Sequence, residues 1–549
     1  MPRTRRGYAM QILLVLTGAT VVYLIGNGRV PLWDRDEPRY AQTSRQMLRS
    51  GDWVVPRLLD EVRTAKPVLI YWCQASAMRV LGENEFAARL PSAVAMLLTL
   101  ILLAIVIWRT AGPRRALWTV FILASSGLAI AAAKMCITDA ALLLWVVTAE
   151  LCLIAIYLNR APWWTPYLMW VAIGLAGLTK GPVVLGVLLT TIFALAALDR
   201  AGAGRWGDAI RWWPRTRPLI GIIILALVCG PWLYLVERRA PGFLRTSIWH
   251  DVITRARSGL EGHTGPPGYY LASIWLTCFP WSLLLPAAVI HAWSRRGSPV
   301  HRFCLAGVIG PWLMFEVVQT KLVHYLLPVF PPLAFLTADM LIRASRRGGH
   351  ELTSRGLVSV VRVWAVVVAI VGLLPWILFR YFELPAAAVV SMALISALCV
   401  AYAVTVARRF TAHRPLVAAA VMGGGMMLVI AMLFGGYLAN APFFKTSQRV
   451  AQVLRSEGAV DSGDAIMIDY KEDSLAFYQG GTIRRADTGV FDAPRAEWPM
   501  WVVISARAWD PLPAAVRDEF DVVARVRGWW YVKGRTVEVL VARKRSPFA

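Results

Sequence analysis

Apolar runs long enough to cross a membrane recur along most of the chain, and this recurrence limits the fold more than any other feature. A hydrocarbon core of about 30 Å needs roughly 20 apolar residues in a helix. Such runs fall near 9–27, 92–108, 116–133, 140–158, 164–179, 181–198, 218–236, 268–293, 304–320, 325–342, 360–380, 384–407 and 415–439, about thirteen in all. Composition agrees, with 57% of the 549 residues hydrophobic against about 45–50% in soluble domains. Backbone in lipid must satisfy its own hydrogen bonds, so residues 1–440 are expected to form an α-helical polytopic membrane domain. The first run follows Arg3, Arg5 and Arg6 as a signal peptide would, but it is longer and shows no A-x-A site before Asn27. It is expected to stay as an anchor.

A formal charge of +25 would suit nucleic acid if the basic residues formed one patch. They lie instead in short loops between apolar runs: Arg109, Arg114 and Arg115; Arg160; Arg200, Arg205, Arg211, Arg215 and Arg217; Arg295, Arg296 and Arg302; Arg343, Arg346, Arg347 and Arg355; Arg408, Arg409 and Arg414. With the N-terminus cytoplasmic, all of these share one side, as the positive-inside rule requires. The charge therefore reads as topology, and no nucleic-acid partner is implied. An odd number of spans leaves the tail on the opposite face. The seven cysteines form no C-x-x-C pair and lie mostly in apolar runs, so neither disulfide nor metal is implied by them.

The opposite face carries two long loops, residues 28–91 and 237–267, and tight turns bearing single charges. The first loop mixes acids and bases and reads as amphipathic helices at the interface. The second contains His250, Asp251, Arg255, Arg257, Glu261 and His263. From 441 to 549 the composition turns polar. Val450, Val453 and Leu454 have helical spacing, while 465–468, 501–504 and 536–541 read as strands, so a small soluble α/β domain is expected.

Candidate chemistry gathers on that face. In Trp33-Asp34-Arg35-Asp36-Glu37-Pro38-Arg39-Tyr40, three carboxylates follow the first span. Asp36 or Glu37 before Pro38 also suits a helix N-terminus, and that reading stays open. Asp36, Arg39 and Tyr40 stand at i, i+3 and i+4, a spacing that sets a carboxylate, a cation and a phenol on one helical face. Lys66-Pro67 precedes Tyr71-Trp72, compatible with a snorkelling lysine and an aromatic belt as well as with a site. Lys321, His324 and Tyr325 have the same helical spacing at a span's outer end, where ionisable residues point to function. Lys180 occupies a short reversal, and Lys134 and Asp139 flank another, where they could pair with each other. Cations near a membrane surface suit a lipid-linked phosphate, and carboxylates suit a general base; together they describe glycosyl transfer.

The run 36–41, followed by Ser50-Gly51-Asp52-Trp53-Val54-Val55-Pro56, Lys66-Pro67, Tyr71-Trp72 and Gly82-Glu83-Asn84-Glu85-Phe86-Ala87-Ala88-Arg89-Leu90, resembles the first extracytoplasmic loop of bacterial aminoarabinose transferases. Thr179-Lys180-Gly181-Pro182, residues 321–328 and Ser474-Leu475-Ala476-Phe477-Tyr478 extend the resemblance over nearly the whole chain. These enzymes share a C-type glycosyltransferase fold with protein O-mannosyltransferases. The resemblance implies an inverting transfer of 4-amino-4-deoxy-L-arabinose from undecaprenyl phosphate to lipid A phosphate, giving polymyxin resistance, at the periplasmic face of the bacterial inner membrane. Matched residue by residue, Asp36 is the implied catalytic carboxylate and Asp139 a second acid. Arg39, Lys66 and Tyr325 would hold the carrier phosphate, with Lys180 and Lys321 nearby. Tyr40, Glu37 and His324 would lie near the sugar or acceptor. One departure is Arg63-Thr64-Ala65 before Lys66-Pro67-Val68, where the family has an aromatic-rich approach to Lys-Pro-Pro. A divalent metal ion bridging carboxylate and phosphate stays open, with Asp36, Glu37 or His263 as ligands. Two alternatives remain: a polyprenyl-phosphate-dependent protein O-mannosyltransferase, and a lipid-carrier flippase, which predicts inverted repeats and broken helices. The sequence shows neither of these two flippase features.

Overall fold

The computed structural model describes residues 4–203, 209–248, 264–346, 355–459 and 463–545. Among them, ten helices are long and apolar enough to cross a membrane: Arg5–Leu24, Glu85–Ala111, Asp139–Tyr157, Val183–Ala201, Trp213–Arg239, Pro299–Val317, Val323–Arg346, Val358–Ile377, Ala386–Thr411 and Pro415–Asn440. Two more expected spans are helix pairs bent at a break, Pro113–Ala124 with Gly127–Lys134 by 65°, and Tyr269–Thr277 with Trp281–Ser294 by 119°. The remaining expected segment is the helix Thr165–Lys180, whose 16 residues rise about 24 Å.

The breaks are a feature that sequence reading missed, and they meet. Gly127 N donates to Phe279 O at 2.8 Å, and Trp281 Nε1 donates to Ser125 Oγ at 3.1 Å. Each interruption thus supplies partners for groups freed by the other, which irregular backbone in a membrane protein requires. The 119° pair still traverses the bundle. At its start Tyr270 N donates to Glu316 at 3.1 Å, near the end of Pro299–Val317; at its finish His291 and His301, the latter near that helix's start, share Asp339.

One end of the bundle gathers arginines: Arg115 and Arg343 each lie 2.7 Å from Asp339, and Arg302 lies 2.8 Å from Asp199. The other end carries the first loop and the tail. The first loop comprises the helix Asp36–Ser50, the hairpin β1 (Arg57–Leu58) and β2 (Glu61–Val62), and the helix Leu69–Leu81. Its helices do not simply lie on lipid. Ser44 Oγ donates to Gln74 at 2.8 Å inside the loop, Gln74 reaches Cys136 O at 3.0 Å below, and Arg45 reaches Phe477 O at 2.8 Å above, so the loop is packed between the membrane helices and the tail.

In the tail, the amphipathic spacing around Val450 forms the helix Thr446–Ser456. The strands β3 (Ala465–Ile468), β4 (Arg484–Arg485), β5 (Trp501–Ser505), β6 (Phe520–Trp530) and β7 (Arg535–Lys544) form one sheet in the order β4-β3-β5-β7-β6. β3 runs parallel to β4 and β5, with Ile466 opposite Val502, while β7 is antiparallel to β5 and β6. Strand β6 escaped the sequence reading because it is an edge strand whose exposed positions include Asp521, Val522 and Arg527, so apolar alternation is lost. Gly528 on that strand touches the helix Thr446–Ser456 so closely that a Cβ would stand 1.9 Å from Thr446 Oγ1.

Candidate functional site

The three carboxylates after the first span have three separate environments. Glu37 is fully buried, and its two oxygens accept from Arg89 Nε at 2.9 Å, Arg89 Nη2 at 2.6 Å, Trp33 N at 2.9 Å and Cys136 N at 2.8 Å. Four donors fill the lone-pair sites of an ionised carboxylate. Glu37 is therefore a keystone between loop and membrane helices, not a sugar contact or a metal ligand as the sequence suggested. Asp34 turns to the tail, where its oxygens accept from Ser474 N at 2.7 Å, the Ser474 hydroxyl and Tyr531 OH at 2.9 Å. Asp36, the first residue of its helix, is exposed, and its charge acts on Tyr40 and His324.

The expected face of Asp36, Arg39 and Tyr40 is thus divided. Arg39 Nε donates to Asp473 of the tail at 2.7 Å. Tyr40 is buried, with its ring 5.8 Å from that of Tyr71 and under the Arg63 guanidinium at 5.2 Å. Burial and the neighbouring Tyr71 hold the Tyr40 phenol well above its usual range, so it acts as a neutral group. Arg63, in the segment Arg63-Thr64-Ala65, also donates to Tyr71 OH at 2.9 Å, which ties that segment into the loop's packing.

Below the loop, a cavity of about 610 Å³ opens among the helices, with Lys66, Asp139, Lys180, His324 and Tyr325 in its lining. Lys180 Nζ lies 2.7 Å from Asp139 Oδ1 and 5.0 Å from the Tyr325 ring centre, and His324 Nε2 lies 3.9 Å from the same carboxylate oxygen. Lys66 Nζ donates to Ala65 O at 2.8 Å, and its charge also acts on Asp139 and His324. The rest of the lining is mainly apolar, including Leu185, Leu225, Trp232, Phe243, Met314 and Phe315. Lys66, Lys180 and Tyr325, from three distant parts of the sequence, thus place cationic and phenolic groups at one part of a lipid-compatible cavity.

Lys321 stands apart. Its ammonium donates to Glu316 O at 2.5 Å, Val318 O at 3.0 Å and Phe315 O at 3.4 Å. These are carbonyls left open where the helix Pro299–Val317 ends. The chain is extended at Leu322 and then forms a 3₁₀ helix, Val323–Val329, so Lys321 does not share the expected face with His324 and Tyr325. Lys134 likewise caps the first span, donating to Ile25 O at 2.7 Å and Val22 O at 3.0 Å, and leaves Asp139 to Lys180.

Of the metal candidates, Glu37 is saturated, Asp36 is exposed, and His263, with His250, Asp251, Arg255, Arg257 and Glu261, lies outside the described residues. Among the described residues, His291, His301 and Asp339 form a group with metal-ligand spacing. Asp339 already pairs with Arg115 and Arg343, so that group fits an ion-pair network and not a cation site. Sequence reasoning did not single out Asp473 or Tyr531, and it quoted Asp34 and Ser474 only within longer runs without giving them a role; the pairing of residues more than 430 positions apart leaves no local signal.

Residues 11–246 match the family of dolichyl-phosphate-mannose-protein mannosyltransferases. A protein of Serratia proteamaculans named undecaprenyl phosphate-α-4-amino-4-deoxy-L-arabinose arabinosyl transferase is 31% identical over 390 residues, covering 68% of each chain. The chain belongs to this arabinosyl transferase family. A relative of the same name from Pseudomonas paraeruginosa is 33% identical over 367 residues, a match spanning 64% of this chain and 62% of the relative. The crystal structure of ArnT from Cupriavidus metallidurans bound to undecaprenyl phosphate superposes with a TM-score of 0.77 at 21% identity, covering 98% of both chains. An oligosaccharyltransferase from Archaeoglobus fulgidus aligns with a TM-score of 0.51 at 13% identity over 90% of this chain and 68% of its own. The family's C-type glycosyltransferase fold is thus present from end to end, the tail included.

Proposed function

We propose that the chain transfers 4-amino-4-deoxy-L-arabinose from undecaprenyl phosphate to a phosphate of lipid A. The observation that carries this reading is the cavity in which Lys66, Lys180 and Tyr325 adjoin Asp139 and His324 above mainly apolar walls. An isoprenoid chain fits those walls, and the two lysines and the phenol suit its phosphate. The family names supply the sugar and carrier, read onto this chain by likeness. The arginine-rich end would be cytoplasmic under the positive-inside rule. The cavity mouth, first loop and tail would then face the periplasm, with the protein in the inner membrane.

Chemistry proceeds as one inverting displacement. An oxygen of the acceptor phosphate forms a bond to the anomeric carbon while the bond from that carbon to the carrier phosphate oxygen breaks. The acceptor monoester becomes a diester and the carrier diester becomes a monoester, so charge balances without net proton transfer. Lys66, Lys180 and Tyr325 stabilise the charge arriving on the carrier phosphate. Asp36 orients or electrostatically stabilises the oxocarbenium-like sugar. Asp139 holds Lys180 in place and offers its carboxylate to the sugar amine. Arg39, Tyr40, Glu37 and Lys321 support the site's frame.

Expression in a polymyxin-sensitive bacterium that lacks its own transferase but makes the donor, followed by mass spectrometry of lipid A, tests the reading. A mass gain of one or two aminoarabinose units is the expected result. The mannosyltransferase family match favours one second reading, transfer from a polyprenyl-phosphate sugar to protein Ser or Thr; unchanged lipid A with a glycosylated membrane protein would replace the first reading with that one.

A further inference from the structure

Asp36 has no side-chain hydrogen-bond partner among the described residues, so its position depends on how its neighbours are held. Two clamps hold them. The membrane domain grips Glu37 through Arg89. The tail grips both flanks: Asp34 N donates to Tyr531 OH at 2.6 Å, Asp34 Oδ1 accepts from Ser474 N at 2.7 Å, and Arg39 Nε donates to Asp473 at 2.7 Å. Behind them, Leu32 N donates to Tyr478 OH at 2.8 Å, and the Trp33 ring meets the Tyr531 ring edge-on at 5.2 Å. Ser474 is tied into the tail's own core, 2.7 Å from Ser447 Oγ, which lies 2.9 Å from Tyr470 OH.

We propose that Ser474 and Tyr531 are positioning residues for Asp36, and that placing this carboxylate is a task of the tail domain. The proposal rests on the catalytic reading of Asp36 given above. Its logic is geometric. The clamp contacts fall on residues 32–39, away in sequence from Lys66 and Lys180, and fix the backbone on both sides of Asp36 to the adjacent pair Asp473 and Ser474 and to Tyr531. Loosening the clamp therefore moves the carboxylate without moving the carrier-phosphate site. A displacement of about 1 Å at a catalytic group can cost about a hundredfold in rate.

The test uses the full-length double variant Ser474→Ala with Tyr531→Phe, purified in detergent. With the undecaprenyl-phosphate sugar donor, kcat is expected to fall about a hundredfold while KM for the donor stays within about twofold. A tail that serves stability alone would instead lower the melting temperature and leave kcat per folded molecule unchanged, which would overturn the proposal. Equal losses in kcat and donor binding would overturn it too. Hydrogen exchange needs no substrate and separates this proposal from the functional reading. Amides 34–36 should exchange faster in the variant while those flanking Lys66 and Lys180 do not; unchanged exchange at 34–36 overturns the proposal even if the wild type is an active transferase. If the wild type transfers no sugar but amides 34–36 loosen selectively, the placement stands and the assigned reaction falls.

Discussion

Two buried carboxylates, Asp339 and Asp139, occupy opposite ends of the membrane domain and are surrounded differently. Asp339 accepts from Arg115 and Arg343 at 2.7 Å and contacts His291 and His301 at 3.1 and 3.2 Å. Asp139 has Lys180 at 2.7 Å and His324 at 3.9 Å, feels Lys66, and opens on a cavity of about 610 Å³. Both clusters carry more cation than anion. At Asp339 the partners converge on one carboxylate and lock helices together. At Asp139 the surplus positive charge faces open space, where an anion can complete it. Charge excess alone does not mark a binding site; charge excess beside room does.

The strongest way to break this contrast is to remove charge from each end in turn. Lys66→Ala and Asp36→Asn should each lower kcat by about 10²–10³, the usual cost of losing one preorganised electrostatic contact, with little change in melting temperature. Full activity in both would dismiss the site. Asp339→Asn should do the reverse. Breaking a buried ion pair from one side costs roughly 3–5 kcal/mol, read as a lower thermal midpoint in detergent, while kcat per folded molecule stays within about twofold. A loss of turnover without a loss of stability would make the arginine end part of the reaction.

Lys321 sharpens the comparison from inside the functional end. Its ammonium faces helix-end carbonyls, so Lys321→Met should cost stability, about 1–3 kcal/mol for polar groups left without a partner, and leave KM for the donor unchanged. A raised KM with unchanged stability would return Lys321 to the phosphate site.

The membrane architecture was legible because lipid enforces a crude, repetitive code. Twenty-residue apolar runs coincide, among the described residues, with the ten long apolar helices and the two bent pairs, and the charged residues of the first loop, Lys180 and the 321–325 segment lie at the end of the bundle away from the arginines around Asp339. Roles within that end were harder to read. Glu37 and Asp36 are adjacent and chemically alike, yet one is a saturated keystone and the other an exposed carboxylate, because only tertiary packing brings Arg89 and Cys136 N to Glu37. Helical periodicity misled at Lys321, where the chain is extended before a tighter helix. It also gave no hint of the paired breaks at Ser125 and Phe279, whose partners lie about 150 residues apart.

Asp34 provides a third kind of carboxylate between the two extremes, held at an interface by hydroxyls and a backbone amide, with no ion-pair partner among the described residues. Burial, reinforced by Glu472, lifts its carboxyl to about 7, against about 3.9 in an unfolded chain. The folded state therefore holds this proton more tightly than the unfolded state. Its contribution to stability is fully present below about pH 4 and is lost as pH rises through about 7. Asp34→Asn removes that proton from the balance, so the stability of the wild type relative to the variant should fall between pH 5 and pH 8 in detergent melts. Tyr531 and Ser474 act in the opposite direction, because their hydrogen bonds favour the ionised form. A relative stability that rises with pH would mean that these donors outweigh burial, and that the grip on the first loop works through an ionised carboxylate, as it does at Asp339.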